Sequence, residues 1–325
     1  MIYIDNLSTD PFFNFALERY LMEEKNLDDD VFMFWRTSPT LMIGKYQNPT
    51  EEINEQFVRE QGINVVRRIT GGGTIYTDMG GWQFSFITRG EEGQIDFKTF
   101  VTPIIEALRS LDVSAEFNSR NDLVIGGRKF SGNAQCIKSG CTLHHGSILF
   151  NTDLNQMVRC LSVDDYKIIS KGIKSVRERV TNISEHMTDV LDPDVFKALM
   201  VDHIRKGSTK EYVLIDKDKE RIEKIADKSF RTWEWNYGKA PLFNITKTGR
   251  FDGGKMEFRL DVEKGVILSC GVYGDFFGTL DIDEFCKTLV GCRYEKESIR
   301  VRLQDWDLSK AFYQIDQAEL LDLIC

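Results

Sequence analysis

The sequence is poor in what metal and disulfide chemistry require. It has four histidines in 325 residues, no CxxC pair and no HExxH, so a structural metal site is not expected. Its seven cysteines are scattered without paired spacing. An odd count in a chain of this length points to reduced cytosolic thiols rather than a disulfide framework. No apolar run reaches the roughly 18–20 residues of a membrane span. The stretch MIYIDNLSTDPFFNF does not show the basic-then-apolar layout of a signal peptide. A cytoplasmic location and no membrane partner are expected. The phosphate loop GxxxxGK[ST] occurs nowhere, and the dinucleotide fingerprint fails because its third glycine would fall at Tyr76. A net charge of −9 argues against broad nucleic-acid binding.

What is there is an ordinary globular composition, 42% hydrophobic and 29% charged. The length suits one large core plus a smaller domain. VFMFW (31–35), TLMIGKY (40–46), VVRRI, TIYTD, GWQFSFIT and LHHGSILF (143–150) read as strands, and FFNFALERYLMEE carries apolar residues at helical spacing. A polar helix is expected over 50–61, and further helices over 96–111, 194–206 and 216–229. DLVIGGRKF (122–130) reads as a hairpin around Gly126-Gly127. Residues 250–275 alternate like a meander, followed by a helix, a strand and an amphipathic C-terminal helix. The expected division is a catalytic domain over 1–246 and an accessory domain over 247–325. Strands and helices mix without strict βαβ alternation, which implies an α+β fold with a largely antiparallel sheet.

Four stretches could carry chemistry. In RRITGGGTIYTDMGG (67–81), Arg67 and Arg68 stand beside Gly71, Gly72 and Gly73. Glycine lets backbone N–H groups approach an anion, and arginine matches carboxylate or phosphate. On these residues alone a glycine turn with solvated arginines fits equally well. In RNDLVIGGRKFSGNAQ (120–135), Lys129 lies on a strand among small residues and could enter a cleft, although a solvated strand lysine is the commoner case. Asn121 and Asp122 could orient a ligand, bind a metal or simply form the turn before the hairpin. His144 and His145 are consecutive on a strand and must face opposite sides. YKIISKGIKSVRERVTNI (166–183) is basic and reads either as a surface loop or as a lid over an anion.

In this order the four stretches resemble the lipoate–protein ligase A family, whose hallmarks are an RRxSGGG-like loop, RND with KxSGNAQ, HHG, and SKGIKSVRxRVTNI. Thr70 replaces the usual serine. A further family motif, FxWxxGxxPxF, is matched by Trp233 and Trp235 through Gly238, Pro241 and Phe243. The resemblance implies the biotin and lipoate ligase fold, akin to class II synthetases, with flanking helices and a small α+β C-terminal domain.

It also implies a two-step acyl transfer. Lipoate and ATP give lipoyl-AMP and pyrophosphate, and a carrier lysine then displaces AMP. The implied acceptors are E2 lipoyl domains of 2-oxoacid dehydrogenases or the glycine-cleavage H protein, served by a monomeric enzyme. Lys129 would bridge the lipoate carboxylate and the α-phosphate. Arg68 would contact the adenylate. Gly73, Thr74, Ile75 and Tyr76 would line adenosine and phosphate, and Gly71 and Gly72 would admit the acyl chain. Mg²⁺ would ride on the triphosphate with Asp122 as its protein ligand, and no tightly bound metal is expected. Trp35, Leu41 or Phe84 would wall the acyl slot, with His145 at its border and Lys171 closing over the adenylate. Arg67, Lys138 and the 167–179 segment would offer a basic docking surface.

Two alternatives remain at this stage. An octanoyl or lipoyl amidotransferase would need a cysteine shortly before the Asn-Asp pair, where the chain reads AEFNSRND. A non-catalytic lipoate-binding protein would not need the retained lysine and arginines.

Overall fold

Six helices among the described residues open in the same way, with an aspartate whose carboxylate accepts backbone N–H groups of the first turn: Asp10, Asp96, Asp153, Asp192, Asp281 and Asp316. Pro11 and Pro193 occupy first-turn positions where no N–H is required. In the computed structural model the described residues are all except 48, 91–94, 119–120, 139, 162–177, 190, 209, 238–243, 264, 280, 295, 309–311 and 325.

The largest sheet is formed by β1 (Ile2–Ile4), β2 (Val31–Trp35), β6 (Gly81–Arg89), β7 (Ala115–Phe117), β8 (Asp122–Ile125), β9 (Arg128–Lys138) and β10 (Cys141–Leu149). Its order is β1-β2-β6-β10-β9-β8-β7. The β1–β2 pair is parallel and the remaining pairs are antiparallel. A smaller sheet places β3 (Thr40–Ile43) between β4 (Asn64–Arg67) and β5 (Ile75–Thr77).

Register sorts the side chains of the main sheet. Phe34 faces Phe84 and Phe32 faces Phe86 across β2 and β6. That face is sealed by helices α4 (Phe97–Arg109) and α6 (Pro193–Arg205) over one aromatic core. On the other face Trp35, Gln83 and Ser147 form one row, and Met33, Ser85 and His145 the next. Helix α1 (Pro11–Glu23) covers this second face. Space left between the helix, the small sheet and the main sheet becomes the cleft described below.

The C-terminal unit is a meander of β11 (Ile245–Phe251), β12 (Gly254–Glu263) and β13 (Val266–Gly274). Helices Ile282–Leu289, Lys296–Arg302 and Gln317–Ile324 pack on it around a separate core. Strand β11 spans the expected 246/247 division and pairs along its whole length with β12. Two expectations change. The strand expected between the last two helices is the helix Lys296–Arg302. The helix expected over 50–61 is two short ones, Pro49–Glu52 and Glu55–Glu60, the second restarted by the Asn54 side chain.

Candidate active site

Lys129 owes its position to a tight turn. Gly126 and Gly127 take φ of 56° and 78°, so β8 reverses into β9 within two residues. An irregularity in register between Leu123 and Val124 follows, and the Lys129 carbonyl accepts the Thr181 N–H at 2.9 Å. The Lys129 ammonium lies 2.7 Å from Asp122 Oδ1. A Cβ on Gly132 would sit 3.1 Å from that nitrogen, so the small residue leaves the ammonium its space. The side chain lines a cleft whose opposite wall is Gly72, Gly73, Thr74 and Ile75. Asn121 lines it too, with its amide donating to the Asn133 carbonyl at 2.8 Å.

The cleft lining has a polar and an apolar part. Phe15 from α1, Trp35 and Met42 from the strands, and Ala134 from β9 form its apolar part, bordered by His145. Trp35 was expected there. Leu41 and Phe84 were not placed correctly, because each is one residue out of step. Leu41 packs in the core behind β3, and Phe84 joins the aromatic core on the sealed face. Their neighbours Met42 and Gln83 take the cleft side.

The two arginines differ. Arg67 donates to the carbonyls of Gly44, Lys45, Gln47, Trp235 and Asn236. It is therefore a clamp between the Gly44–Gln47 turn and the helix Trp233–Asn236. Arg68 is 4% exposed and donates to the carbonyls of Met42, Gly71 and Gly73. Burial pulls its pKa down to about 10, partly offset by the charge of Glu18, so the guanidinium stays protonated at neutral pH. It lines the cleft, and among the described residues its Nε–H has no partner. Arg68 thus braces the glycine turn from within.

The glycines also divide. Gly72 has φ of +89° and lines the cleft. Gly71 does not line it. A Cβ there would come within 2.3 Å of the Phe276 carbonyl, so Gly71 makes room for the C-terminal unit rather than for an acyl chain. Tyr76 is 1% exposed and turns away into the core with Leu41 and Ile43, since β5 alternates and Ile75 takes the cleft side. Lys171, Lys167, Lys174 and Arg177 lie outside the described residues, as do Arg120, Gly238, Pro241 and Phe243. Lys138 is exposed and paired with Glu23 at 2.9 Å.

The consecutive histidines face opposite sides. His145 Nδ1 lies 3.0 Å from Glu18 Oε1, and its Nε2 lies 2.8 Å from Thr70 Oγ1. His144 is buried on the sealed face against Phe84, Phe97 and Phe100. Among the described residues no group of three or more His, Cys, Asp or Glu side chains is placed to hold a metal ion. Asp122 offers a single carboxylate, already engaged by Lys129, which suits one added ligand to a cation brought in on phosphate. Sequence reasoning missed Glu18, Gln83, Asn133 and Ser147. Glu18 carried a signal: it lies three residues from Phe15 and from Leu21, an acid within the apolar stripe of its helix. Burial pushes the Cys136 thiol up to about 12, so beside the cleft it rests as a thiol and not as a nucleophilic thiolate.

Residues 10–205 match the lipoyl protein ligase A/B catalytic domain, and residues 240–324 match the bacterial lipoate protein ligase C-terminus. The chain is 41% identical to the lipoate-protein ligase LplJ of Bacillus subtilis, covering all of both chains. It is 39% identical to lipoate–protein ligase 1 of Staphylococcus aureus over 98% of each. The solved structure of P. falciparum LipL1 in complex with lipoate superposes with a TM-score of 0.81 at 23% identity, covering 99% of this chain and 97% of that one, and shows the fold. A bracing arginine, a glycine turn and a cleft lysine thus occur on a scaffold and sequence shared with enzymes of one kind: the chain belongs to the lipoate–protein ligase family.

Proposed function

We propose that this enzyme activates lipoate with ATP as lipoyl-AMP and passes the lipoyl group to a lysine of a carrier domain. The observation that carries this reading is Lys129. Its ammonium shares one cleft with the glycine turn Gly72–Ile75 and with the apolar part formed by Phe15, Trp35 and Met42.

The chemistry follows from that placement. A lipoate carboxylate oxygen attacks the α-phosphorus, a new P–O bond forms, and the bond to pyrophosphate breaks with its electrons leaving on pyrophosphate. Two anions must meet, so a cation at the junction lowers the barrier. Lys129 is held beside that junction by Asp122 and turns from the carboxylate to the phosphate and acyl oxygens as they arrive. The Gly73 N–H and the bare backbone at Gly72 receive the phosphate, and Thr74 and Ile75 lie along the nucleoside. Asp122 would offer one oxygen ligand to a Mg²⁺ carried on the triphosphate, which would neutralise part of the phosphate charge. In the second step a neutral carrier amine attacks the acyl carbon. AMP leaves with the bonding electrons, and the amine proton passes to solvent.

The acceptors in this reading are E2 lipoyl domains or the glycine-cleavage H protein, and the enzyme acts as a cytoplasmic monomer. Among the described residues no helix is long and apolar enough to cross a membrane. In this reading the chain divides into a catalytic unit over 1–246 and an accessory unit over 247–325, a division that falls within β11.

The test is lipoate-dependent exchange of labelled pyrophosphate into ATP. The native protein should show it, and mass spectrometry should find a lipoyl adduct on the carrier lysine. Lys129→Ala should lower the exchange rate by roughly 10²–10³-fold, the usual cost of one transition-state contact. Undiminished exchange in that variant would remove the lysine from the mechanism. Absence of exchange in the native protein would remove the ligase reading itself.

A further inference from the structure

Glu18 is a fully buried carboxylate at the centre of α1. Burying a carboxylate is costly unless its oxygens are satisfied, and here each contact leads toward the cleft. Oε1 accepts the Ser85 hydroxyl at 2.6 Å, and both oxygens face His145 Nδ1, at 3.0 and 3.1 Å. Ser85 Oγ in turn accepts the Trp35 indole N–H at 2.8 Å. On the other side His145 Nε2 meets Thr70 Oγ1 at 2.8 Å. One buried chain therefore runs Trp35–Ser85–Glu18–His145–Thr70. Trp35 and His145 border the acyl part of the cleft, and Thr70 directly precedes the glycine turn.

The polarity of this chain is fixed. An indole N–H only donates, so Ser85 must send its own hydrogen to Glu18. Nδ1 faces a carboxylate, so it carries the proton. In the neutral ring Nε2 then accepts, and the Thr70 hydroxyl donates to it. A carboxylate is the acceptor that can serve both Ser85 and His145. A glutamine would turn its NH₂ toward one of those two donors.

The nucleotide side of the turn is anchored separately. Thr74 Oγ1 donates to Gln47 Oε1 at 2.9 Å, and the Gly72 N–H donates to the Phe276 carbonyl at 3.2 Å. We propose that Glu18 is a positioning residue for the acyl pocket, fixing Trp35 and the His145 tautomer, and through Thr70 the entry to the glycine turn, so that its loss impairs recognition of lipoate and not of ATP. This inference rests on the ligase reading.

The experiment uses the full chain carrying Glu18→Gln, with folding checked by circular dichroism. Two readouts are taken: the ¹⁵N pattern of the His145 imidazole, and KM for lipoate and for ATP from pyrophosphate exchange. The expected result is loss of the single Nδ1–H tautomer, a lipoate KM raised about tenfold, and an ATP KM within about twofold of native. Should Glu18→Gln not fold, Ser85→Ala removes one donor from the carboxylate and frees Trp35. It should also raise the lipoate KM selectively while leaving the His145 pattern native. An unchanged tautomer in Glu18→Gln, or lipoate and ATP constants that rise together in the folded variant, would overturn the proposal. If the native protein shows no lipoate-dependent exchange, the ligase reading fails, and the tautomer readout still decides whether Glu18 orients His145.

Discussion

At the scale of single residues, the adjacent histidines carry opposite consequences. His144 is fully buried, neither ring nitrogen has a partner among the described residues, and it stacks on Phe100 with centroids 4.9 Å apart. Burial, reinforced by neighbouring His145, holds its pKa well below the ordinary 6.5. The unfolded chain therefore takes up a proton below pH 6.5 that the native state refuses. Stability is whole above that pH and falls as the pH drops beneath it, by at most about 1.4 kcal/mol per pH unit. His144→Phe keeps the aromatic stack and removes the titration. Urea denaturation at pH 7.5 and pH 5.5 should show a smaller acid loss in the variant, by about 1.4 kcal/mol at the lower pH. Equal acid losses in the two proteins would mean that His144 gains its proton without unfolding. The opposite facing of the pair was legible from strand alternation. The cost of burying His144 was not, because the aromatic rings around it come from β6 and α4.

At the scale of elements, Arg67 ends β4 and ties three segments together. Its five carbonyl partners span the turn Gly44–Gln47 and the helix Trp233–Asn236, and its backbone N–H donates to Asn236 Oδ1. Arg67→Ala should cost roughly 3 kcal/mol, since it strands several buried acceptors. Arg67→Lys should recover little of this, because an ammonium has three donors and no planar fork. Thermal unfolding of the three proteins checks both statements, and a lysine variant as stable as the native protein would refute the clamp. Sequence could not separate Arg67 from Arg68, since the partners of Arg67 lie up to 169 residues away. It did show strands at 31–35 and 143–150 and the hairpin at Gly126-Gly127, where alternation and paired glycines are local signals. It did not show which strand face meets the cleft. Met42 replaces Leu41 and Gln83 replaces Phe84 because a one-residue offset inverts the face. Nor did it show the helix Lys296–Arg302, whose identity is set by packing of Ile299 into the C-terminal core.

At the scale of the whole molecule, the glycine turn is a joint between two domains as much as a cradle. Tyr46 stacks on Phe276 with centroids 4.6 Å apart and planes within 5°, and the Gly274 N–H donates to the Tyr46 carbonyl. Phe277 is buried against Phe97 and Ala134. The Gly72 N–H reaches the Phe276 carbonyl, and Gly71 has no room for a side chain on that side. A motif whose glycines read as space for ligand therefore spends one of them on contact between domains. This follows only when residues 71 and 276, far apart in sequence, are seen together. Gly71→Ala places a methyl 2.3 Å from the Phe276 carbonyl oxygen, and backbone on both sides resists moving. The interface should open while each core stays folded, since neither core contains Gly71. Hydrogen exchange should then quicken in peptides covering 70–76 and 271–279 and stay native in those covering 254–262. Gly90→Ala, where an added Cβ meets nothing within 4 Å, serves as the control and should leave all three regions native. Native-like protection at Gly72 in the Gly71→Ala protein would show that the two domains yield to a methyl without parting, and the joint would lose its claim to govern the turn.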